Sequence, residues 1–303
     1  MDRRKPLDRF AAGVMLLLCL TWGIQQVAVK VTAPSISPVM QIAIRCALAG
    51  LMLLAVMRVR RVPLLGPPEH QRAGLLAGVL FASEFLFVAI GLDYTSASHM
   101  SVFIYTAPIF TALGLHWRVP AERLSPVQGL GVLAAFAGVA IAMSDGWRGG
   151  GGETYALMWL GDACGVLAGF LWGMTTVAIR LSAIAEAPPS RTLLYQLVCA
   201  AVGLYVFAVL TGVHEIGPMT GIAWASMTFQ TVVVAFGTFL AWFWLLRRYL
   251  ASRLAVFSFL TPVFGIAAGV LLLGEPFAPS FGVGALFILA GISLVNLPRR
   301  RPA

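Results

Sequence analysis

Charged side chains are scarce in this chain. Asp, Glu, Lys and Arg make up only 11% of its 303 residues, whereas 59% of the residues are apolar. Soluble domains carry roughly 25% charged residues, so this composition excludes a soluble domain of the same length. We therefore expect an all-α membrane protein.

Cysteines are few, and the motifs of common enzyme classes are missing. The four cysteines lie inside apolar stretches without CxxC spacing, which argues against a disulfide framework and a zinc site. No Walker, HExxH or GxSxG sequence occurs. We expect no catalytic residue, metal or cofactor. A membrane-embedded enzyme stays open as an alternative, and its polar residues would be Arg45, Glu84 and His99.

Long apolar stretches fill most of the chain. A helix needs about 20 apolar residues to cross a bilayer, and the chain offers ten such stretches with short connections. The predicted helices cover residues 9–31, 38–57, 72–92, 97–117, 124–143, 157–180, 191–211, 221–246, 253–273 and 279–297. Little chain is left outside the bilayer to bind a protein partner, which disfavours a receptor or scaffold.

The second half of the chain repeats the first at offsets of 150 to 154 residues. The matched elements are Trp22-Gly23 with Trp172-Gly173, Pro108 with Pro262, and Gly131 and Gly138 with Gly284 and Gly291. Because five helices is an odd number, the second copy enters the membrane from the opposite side. We predict two inverted five-helix repeats, residues 1–148 and 154–303, with a linker at 149–153. This architecture is typical of alternating-access transporters.

The basic residues are distributed unevenly. Of the 21 Lys and Arg residues, all but Lys30, Arg45 and Arg148 fall on one side of a ten-span topology. Cytoplasmic loops of membrane proteins carry such an excess. The net charge of +9 therefore indicates orientation rather than a nucleic-acid partner. We expect a multi-pass protein of the cell inner (plasma) membrane, in contact with the lipid bilayer and with both termini in the cytoplasm.

Two helix junctions carry a family resemblance. The segment from Glu122 to Gly129, the element Gly274-Glu275-Pro276 and the Trp-Gly pair of each opening helix resemble the EamA family of the drug/metabolite transporter superfamily. The resemblance implies an inner-membrane carrier with a central cavity between the halves, often an exporter of amino acids. We expect a small-molecule substrate, most simply a neutral or aromatic amino acid, and a monomer that suffices for transport. Another metabolite or a drug remains an alternative substrate.

Prolines at matched positions point to the cavity. Pro108 and Pro262 should free the carbonyls of Ile104 and Ser258, because proline lacks an N–H donor. A free carbonyl in a membrane helix should face protein or water, and paired helix interruptions indicate a transport site. Plain packing kinks are the alternative.

A small set of polar and aromatic residues completes the predicted site. Trp22, Gln25 and Gln26 share much of one face of the first helix, and Trp172 and Thr176 occupy matching positions on the sixth. Indole rings and amides would hold a small amphipathic solute between helices one, three, four, six, eight and nine. Packing across the bundle is the alternative for these residues.

Ionisable residues within the spans leave several roles open. Arg45 and Glu84 lie at similar predicted depths, so they could form a structural ion pair. Glu84 could instead bind a substrate amine or a proton, and Arg45 a carboxylate. The EamA resemblance implies a structural role for Arg45. His99 could sense protons or be a partly solvated interfacial residue, with Tyr105 deeper in the same helix, and Asp162 is expected at the interface.

Overall fold

The computed structural model describes residues 8–120, 123–147, 156–249, 258, 260–295 and 297. Within these ranges the chain forms ten membrane-type helices. They are α1 (Arg9–Thr32), α2 (Pro38–Val59), α3 (Pro68–Tyr94), α4 (Ala97–Arg118), α5 (Pro126–Trp147), α6 (Met158–Arg180), α7 (Pro189–Leu210), α8 (the consecutive segments Gly221–Thr228, Phe229–Thr238 and Phe239–Arg248), α9 (Leu260–Leu273) and α10 (Pro279–Val295). The ten predicted helices agree with these bounds to within a few residues, except that most of 253–259 lies outside the described residues.

The helices are long and apolar enough for a bilayer. Eight of them qualify as spans by length and hydropathy, and α9 and α10 are shorter apolar helices within the described ranges. Large apolar side chains also cover the outside of the bundle: Leu51, Leu133 and Leu271 are each more than 60% exposed. Such a surface is stable against lipid tails but not against water. The chain is a multi-pass membrane protein.

Local sequence sets where several helices begin. Five helices start on a proline, because the first helical residue needs no N–H partner inside the helix. These prolines are Pro38, Pro68, Pro126, Pro189 and Pro279. Other starts are capped by a side-chain oxygen, as where Ser96 accepts the His99 N–H at the beginning of α4 and Thr220 accepts the Ala223 N–H at the beginning of α8.

Helices of the first half pack mainly against helices of the second half. The most extensive pairings are α5 with α10, α3 with α6, α2 with α7, α3 with α7 and α1 with α9. Glycine allows the closest of these approaches: a Cβ atom added to Gly131, Gly138, Gly284 or Gly291 would lie within 2.5–2.8 Å of the carbonyl oxygen of the facing glycine. Small residues let membrane helices approach backbone to backbone, so α5 and α10 form one tight unit.

The bundle has two distinguishable ends. At one end, the loop after α1 meets the loop before α8, where the Gly217 N–H donates to the Ser35 carbonyl at 2.8 Å. The loop between α3 and α4 lies at the same end, which we call the Thr95 end. At the opposite Arg118 end, the Arg191 side chain donates to the Pro63 carbonyl. The two names are used below to say at which end of the bundle a polar group lies.

Candidate functional site

Two aromatic pairs lie where the halves of the bundle meet. The Nε1–H group of Trp22 on α1 donates a 2.8 Å hydrogen bond to Thr238 Oγ1 on α8, and the Trp22 ring meets Trp242 edge-on at 5.8 Å. The ring of Tyr105 on α4 meets that of Trp172 on α6 at 5.4 Å and 90°. Three aromatic residues predicted from sequence, Trp22, Tyr105 and Trp172, therefore lie in the contacts between α1 and α8 and between α4 and α6.

Thr261 on α9 links the two aromatic pairs. Its side chain lies close to the hydroxyl of Tyr105 and to the thiol of Cys19, which stands about one turn before Trp22. The Oγ1 atom of Thr261 is buried and has no hydrogen-bond partner. Thr261 and the adjacent Pro262 are buried, as is Tyr105. Helices α1, α4, α6, α8 and α9 thus converge on one cluster of aromatic rings and hydroxyl groups, which we call the aromatic cluster.

The helix α4 is interrupted by a tighter turn just before Pro108, and this turn contains Tyr105 of the aromatic cluster. Residues Ile104–Thr106 form a turn of 3-10 helix, and Pro108 follows at the beginning of the next helical segment. The expectation of a free Ile104 carbonyl is wrong, because this tighter turn lets the Ala107 N–H donate to that oxygen. The interruption instead turns Tyr105 toward α6 and α9.

The predicted polar residues of α1, α6 and α9 have different surroundings. Gln25 and Gln26 are both buried, and Gln26 Oε1 has no hydrogen-bond partner. Thr176 is exposed, and its hydroxyl donates to the Trp172 carbonyl of its own helix, so it does not join the aromatic cluster. Ser258 is helical and partly exposed, and its neighbours in sequence lie outside the described residues.

His99 forms a buried polar group at the Thr95 end. Its Nδ1 atom lies 3.0 and 3.1 Å from the two carboxylate oxygens of Asp162 on α6, and the Thr95 hydroxyl donates to the same carboxylate. The His99 ring stacks on Phe281 of α10 at 3.9 Å. Close packing of Gly161 against Thr95 buries both side chains, so the partly solvated alternative for His99 is wrong.

Glu275 holds the first residues of α4. Its Oε1 atom accepts the Ala97 N–H at 2.7 Å, and its Oε2 atom accepts the Ser98 N–H at 2.9 Å and the Ser98 hydroxyl at 2.6 Å. A carboxylate is well suited to this place, because helix N-termini present free N–H groups and a partial positive charge. Lys30 lies close enough to Glu275 and Asp93 to attract both.

Arg45 and Glu84 are both buried within the bundle. No salt bridge joins them in the part of the chain that the structure describes, although they lie close enough to attract each other. The Arg45 guanidinium carbon stands 4.8 Å from the centre of the Phe85 ring. Three buried polar atoms have no hydrogen-bond partner: Nε and Nη1 of Arg45 and Oε2 of Glu84. The expectation of a direct structural ion pair is therefore wrong for this conformation, because Phe85 rather than Glu84 covers the guanidinium.

A network of amides connects α1, α2 and α8 beside these charges. Gln230 Nε2 donates to Gln41 Oε1 at 3.0 Å and to Ser226 Oγ at 3.2 Å. Ser226 Oγ donates to the Ala28 carbonyl and Gln41 Nε2 to the Val29 carbonyl. Gln230 lies in the segment Phe229–Thr238, which is wound as a π-helix. Such wider turns occur frequently at functional sites.

Two segments of this chain match one protein family. The model of the EamA-like transporter family matches residues 9–144 and 159–297. The chain belongs to the EamA-like transporter family. It is a transporter rather than an enzyme, so the membrane-embedded enzyme considered above is ruled out.

Known relatives of this EamA-like transporter are distant but match more than nine tenths of its length. The uncharacterized transporter YoaV of Bacillus subtilis (strain 168) is 24% identical over 92% of this chain and 94% of its own. The probable amino-acid metabolite efflux pump of Escherichia coli (strain K12) is also 24% identical, over 92% and 93% of the two chains. A solved crystal structure superposes with a TM-score of 0.63 at 19% identity, covering 95% and 96% of the chains, which shows a shared fold.

Sequence reasoning missed several polar residues of the EamA-like transporter. Glu275 was singled out only as part of a junction motif, and no role was predicted for Gln41, Ser226 or Gln230. One signal was available for Gln41 and Gln230: an amide inside an apolar stretch must find a partner within the protein. The partners in the other half of the chain are 177 to 202 residues away in sequence and follow only from the packing of the two halves.

Proposed function

We propose that this chain is a secondary transporter that exports small amphipathic metabolites, with neutral or aromatic amino acids as the preferred substrates. The aromatic cluster is the observation that carries this proposal, because it brings Trp22, Tyr105 and Trp172 from both halves to one place. Indole and phenol rings bind an apolar side chain by stacking, while nearby hydroxyl groups supply hydrogen bonds. The efflux pump from Escherichia coli, named for amino-acid metabolites, supports this choice of substrate.

The contact between α5 and α10 supports inverted repeats as the basis of transport. Gly131 faces Gly291 and Gly138 faces Gly284, so the two helices run antiparallel. In the sequence register these helices are equivalent, at an offset of 153 residues. Equivalent helices that run in opposite directions are the signature of inverted repeats, and the two separate family matches fit the same duplication.

A second pair of contacts obeys the same symmetry. A Cβ atom on Gly23 of α1 would lie 2.8 Å from the Cβ atom of Phe264 on α9. A Cβ atom on Gly173 of α6 would lie 2.8 Å from that of Phe110 on α4. Gly173 and Phe264 are the repeat equivalents of Gly23 and Phe110, at offsets of 150 and 154 residues. Two copies of one contact provide matched surfaces for alternating access.

The Thr95 end serves as the closed outer side in this proposal. The basic residues expected in the cytoplasm, such as Arg118, Arg180 and Arg191, belong to the opposite end. At the Thr95 end, Asp162 and Glu275 of the second half hold Thr95, Ser98 and His99 of the first half. Opening to the outside would separate these partners, so they form the outer gate. We expect a monomer in the inner membrane to contain the whole pathway.

Transport in liposomes tests the proposal. Purified protein is reconstituted, and the flux of L-tryptophan, L-leucine and glycine is measured with and without a proton gradient. The comparison separates flux down the solute gradient from flux coupled to protons. Trp22→Ala and Trp172→Ala should each reduce tryptophan flux by about tenfold or more, as expected for one lost aromatic contact. Trp159→Ala is the matched control, because Trp159 lies on α6 but is 42% exposed. Unchanged flux of every amino acid in both cluster variants would refute the stacking site.

A further inference from the structure

Two buried charges of opposite sign, Arg45 and Glu84, lie inside the bundle without a salt bridge between them. Arg45 is 2% exposed and Glu84 is 4% exposed. Charged side chains inside a membrane protein are costly unless they are paired or face a polar cavity. Here Arg45 leaves two nitrogen atoms without an acceptor, and Glu84 leaves one oxygen atom without a donor.

Phe85 accounts for only part of the environment of Arg45. The guanidinium group lies over the Phe85 ring, which gives a favourable cation–π contact. The N–H bonds of a guanidinium group lie in its own plane, however, and a ring on one face does not accept them. The N–H bonds of Nε and Nη1, which have no partner, therefore remain available to a planar acceptor such as a carboxylate.

Glu84 connects the charges to the aromatic cluster. It precedes Val88 by one helical turn, so the two side chains share one face of α3. Val88 packs in the same apolar group as Tyr105, with Trp172 against it. Glu84 is thus one turn of α3 from a residue of the apolar group that contains the Tyr105 ring.

The π-helical segment of α8 adds further unpartnered polar atoms. Gln230 Oε1 and Thr231 Oγ1 are buried and have no hydrogen-bond partner. Gln230 is bonded to Gln41, which precedes Arg45 by one turn of α2. Buried polar groups in proteins are nearly always hydrogen-bonded, so unpartnered atoms on α2, α3 and α8 indicate a place for a polar guest.

We propose that Arg45 and Glu84 bind the carboxylate and the ammonium group of a zwitterionic amino acid, while the aromatic cluster holds its side chain. A zwitterion carries one charge for each unpaired group and adds no net charge to the buried site. An amine alone would leave Arg45 unpaired, and an acid alone would leave Glu84 unpaired. This inference rests on the proposed function and names the headgroup chemistry of the same site.

Binding to the wild-type protein provides the first test and needs no variant. The affinities of detergent-purified protein for L-tryptophan, tryptamine and indole-3-propionate are measured by calorimetry, with L-leucine, isoamylamine and 4-methylpentanoate as a second series. Each full amino acid should bind about 10- to 100-fold more tightly than its amine-only or acid-only analogue, because each analogue leaves one buried charge without its partner.

Neutral variants then assign each charge to one half of the headgroup. Glu84→Gln should abolish the preference for tryptophan over indole-3-propionate but keep the preference over tryptamine, and Arg45→Gln should do the reverse. Glu69→Gln and Arg72→Gln are matched controls, since both residues are exposed near the start of α3. Melting temperature and gel filtration establish that each variant is folded.

The outcomes separate this inference from the proposed function. Equal wild-type affinity for all three indoles, or variants that keep the wild-type preferences, overturns zwitterion binding even if tryptophan is still transported and Trp22→Ala still slows it. Equal affinity for indole-3-propionate and tryptophan would mean that the site recognises only the carboxylate, through Arg45. That result would also overturn zwitterion binding. No binding of either series, together with no amino-acid flux, would overturn both proposals.

Discussion

The Glu275 carboxylate bonds both the backbone N–H and the hydroxyl of Ser98, although 177 residues separate the two in sequence. Through this contact the loop after α9 fixes the beginning of α4. Because the carboxylate belongs to the second half and the helix end to the first, the proposed transport cycle requires this contact to break when the Thr95 end opens.

Loss of the Glu275 carboxylate should open the Thr95 end. Glu275→Ala removes the acceptor from two buried N–H groups, each worth about 1–3 kcal/mol when left unsatisfied, and this loss disfavours the closed state. A cysteine at Ala97 should then react faster with a membrane-impermeant maleimide added outside intact cells. Glu215→Ala is the control, because Glu215 is exposed in a loop at the same end. Equal reaction rates in the two backgrounds would contradict a gate role for Glu275.

His99 and Asp162 should act as one energetic unit. Since their side chains are buried and hydrogen-bonded to each other, His99→Ala and Asp162→Ala should each destabilise the protein, and the double variant should lose less than the sum. We expect a coupling energy of about 0.5–3 kcal/mol from a double-mutant cycle of unfolding free energies. Strict additivity would show that the contact contributes nothing to stability.

The matched glycine contacts should tolerate no side chain. Gly23→Ala and Gly173→Ala each place a Cβ atom 2.8 Å from neighbouring heavy atoms on α9 or α4, and such overpacking costs about 1–3 kcal/mol. Gly13→Ala on α1 is the control, because nothing lies within 4 Å of its added Cβ. That control should be neutral or stabilising by up to about 1 kcal/mol, since alanine favours the helix. The check is to measure the free energy of unfolding of each of the three variants and of the wild-type protein.

The topology can be tested at the linker between the repeats. The positive-inside pattern places residues 149–152 outside the cell, and this segment lies outside the described residues. A cysteine at Gly150 should therefore react with an impermeant maleimide on intact cells, as a cysteine at Gly212 in the loop between α7 and α8 should. Labelling of position 150 only after lysis would contradict the ten-span orientation.

The helices could be predicted from the sequence because apolar run length is a local property. Proline at a helix start is likewise a local signal, and the predicted starts at Pro38 and Pro279 coincide with the observed ones. The 3-10 turn before Pro108 shows the limit of such local rules: the proline interrupts the helix as expected, but the neighbouring turn tightens and supplies the Ile104 carbonyl with a donor.

The polar contacts could not be predicted because they depend on which helix faces which. Asp162 stands one turn from the start of α6, a position that alone suggests an interface with water, yet packing against Thr95 and His99 buries it. Arg45 and Glu84 match in predicted depth, but depth does not specify rotation about the helix axes. The Phe85 ring, next to Glu84 in sequence, lies against the guanidinium group, and no salt bridge joins Arg45 to the Glu84 carboxylate in the described part of the chain.

The close approach of α5 to α10 also constrains how the protein is made. Ribosomes synthesise α5 many seconds before α10, at about 5–20 residues per second. During that interval the glycine face of α5, including Gly131 and Gly138, has no protein neighbour of the shape that it finally contacts. Insertion machinery or lipid must cover the glycine face of α5 until α10 is inserted. A nascent chain that stops after α9 should therefore be recognised as incomplete and degraded by membrane quality control.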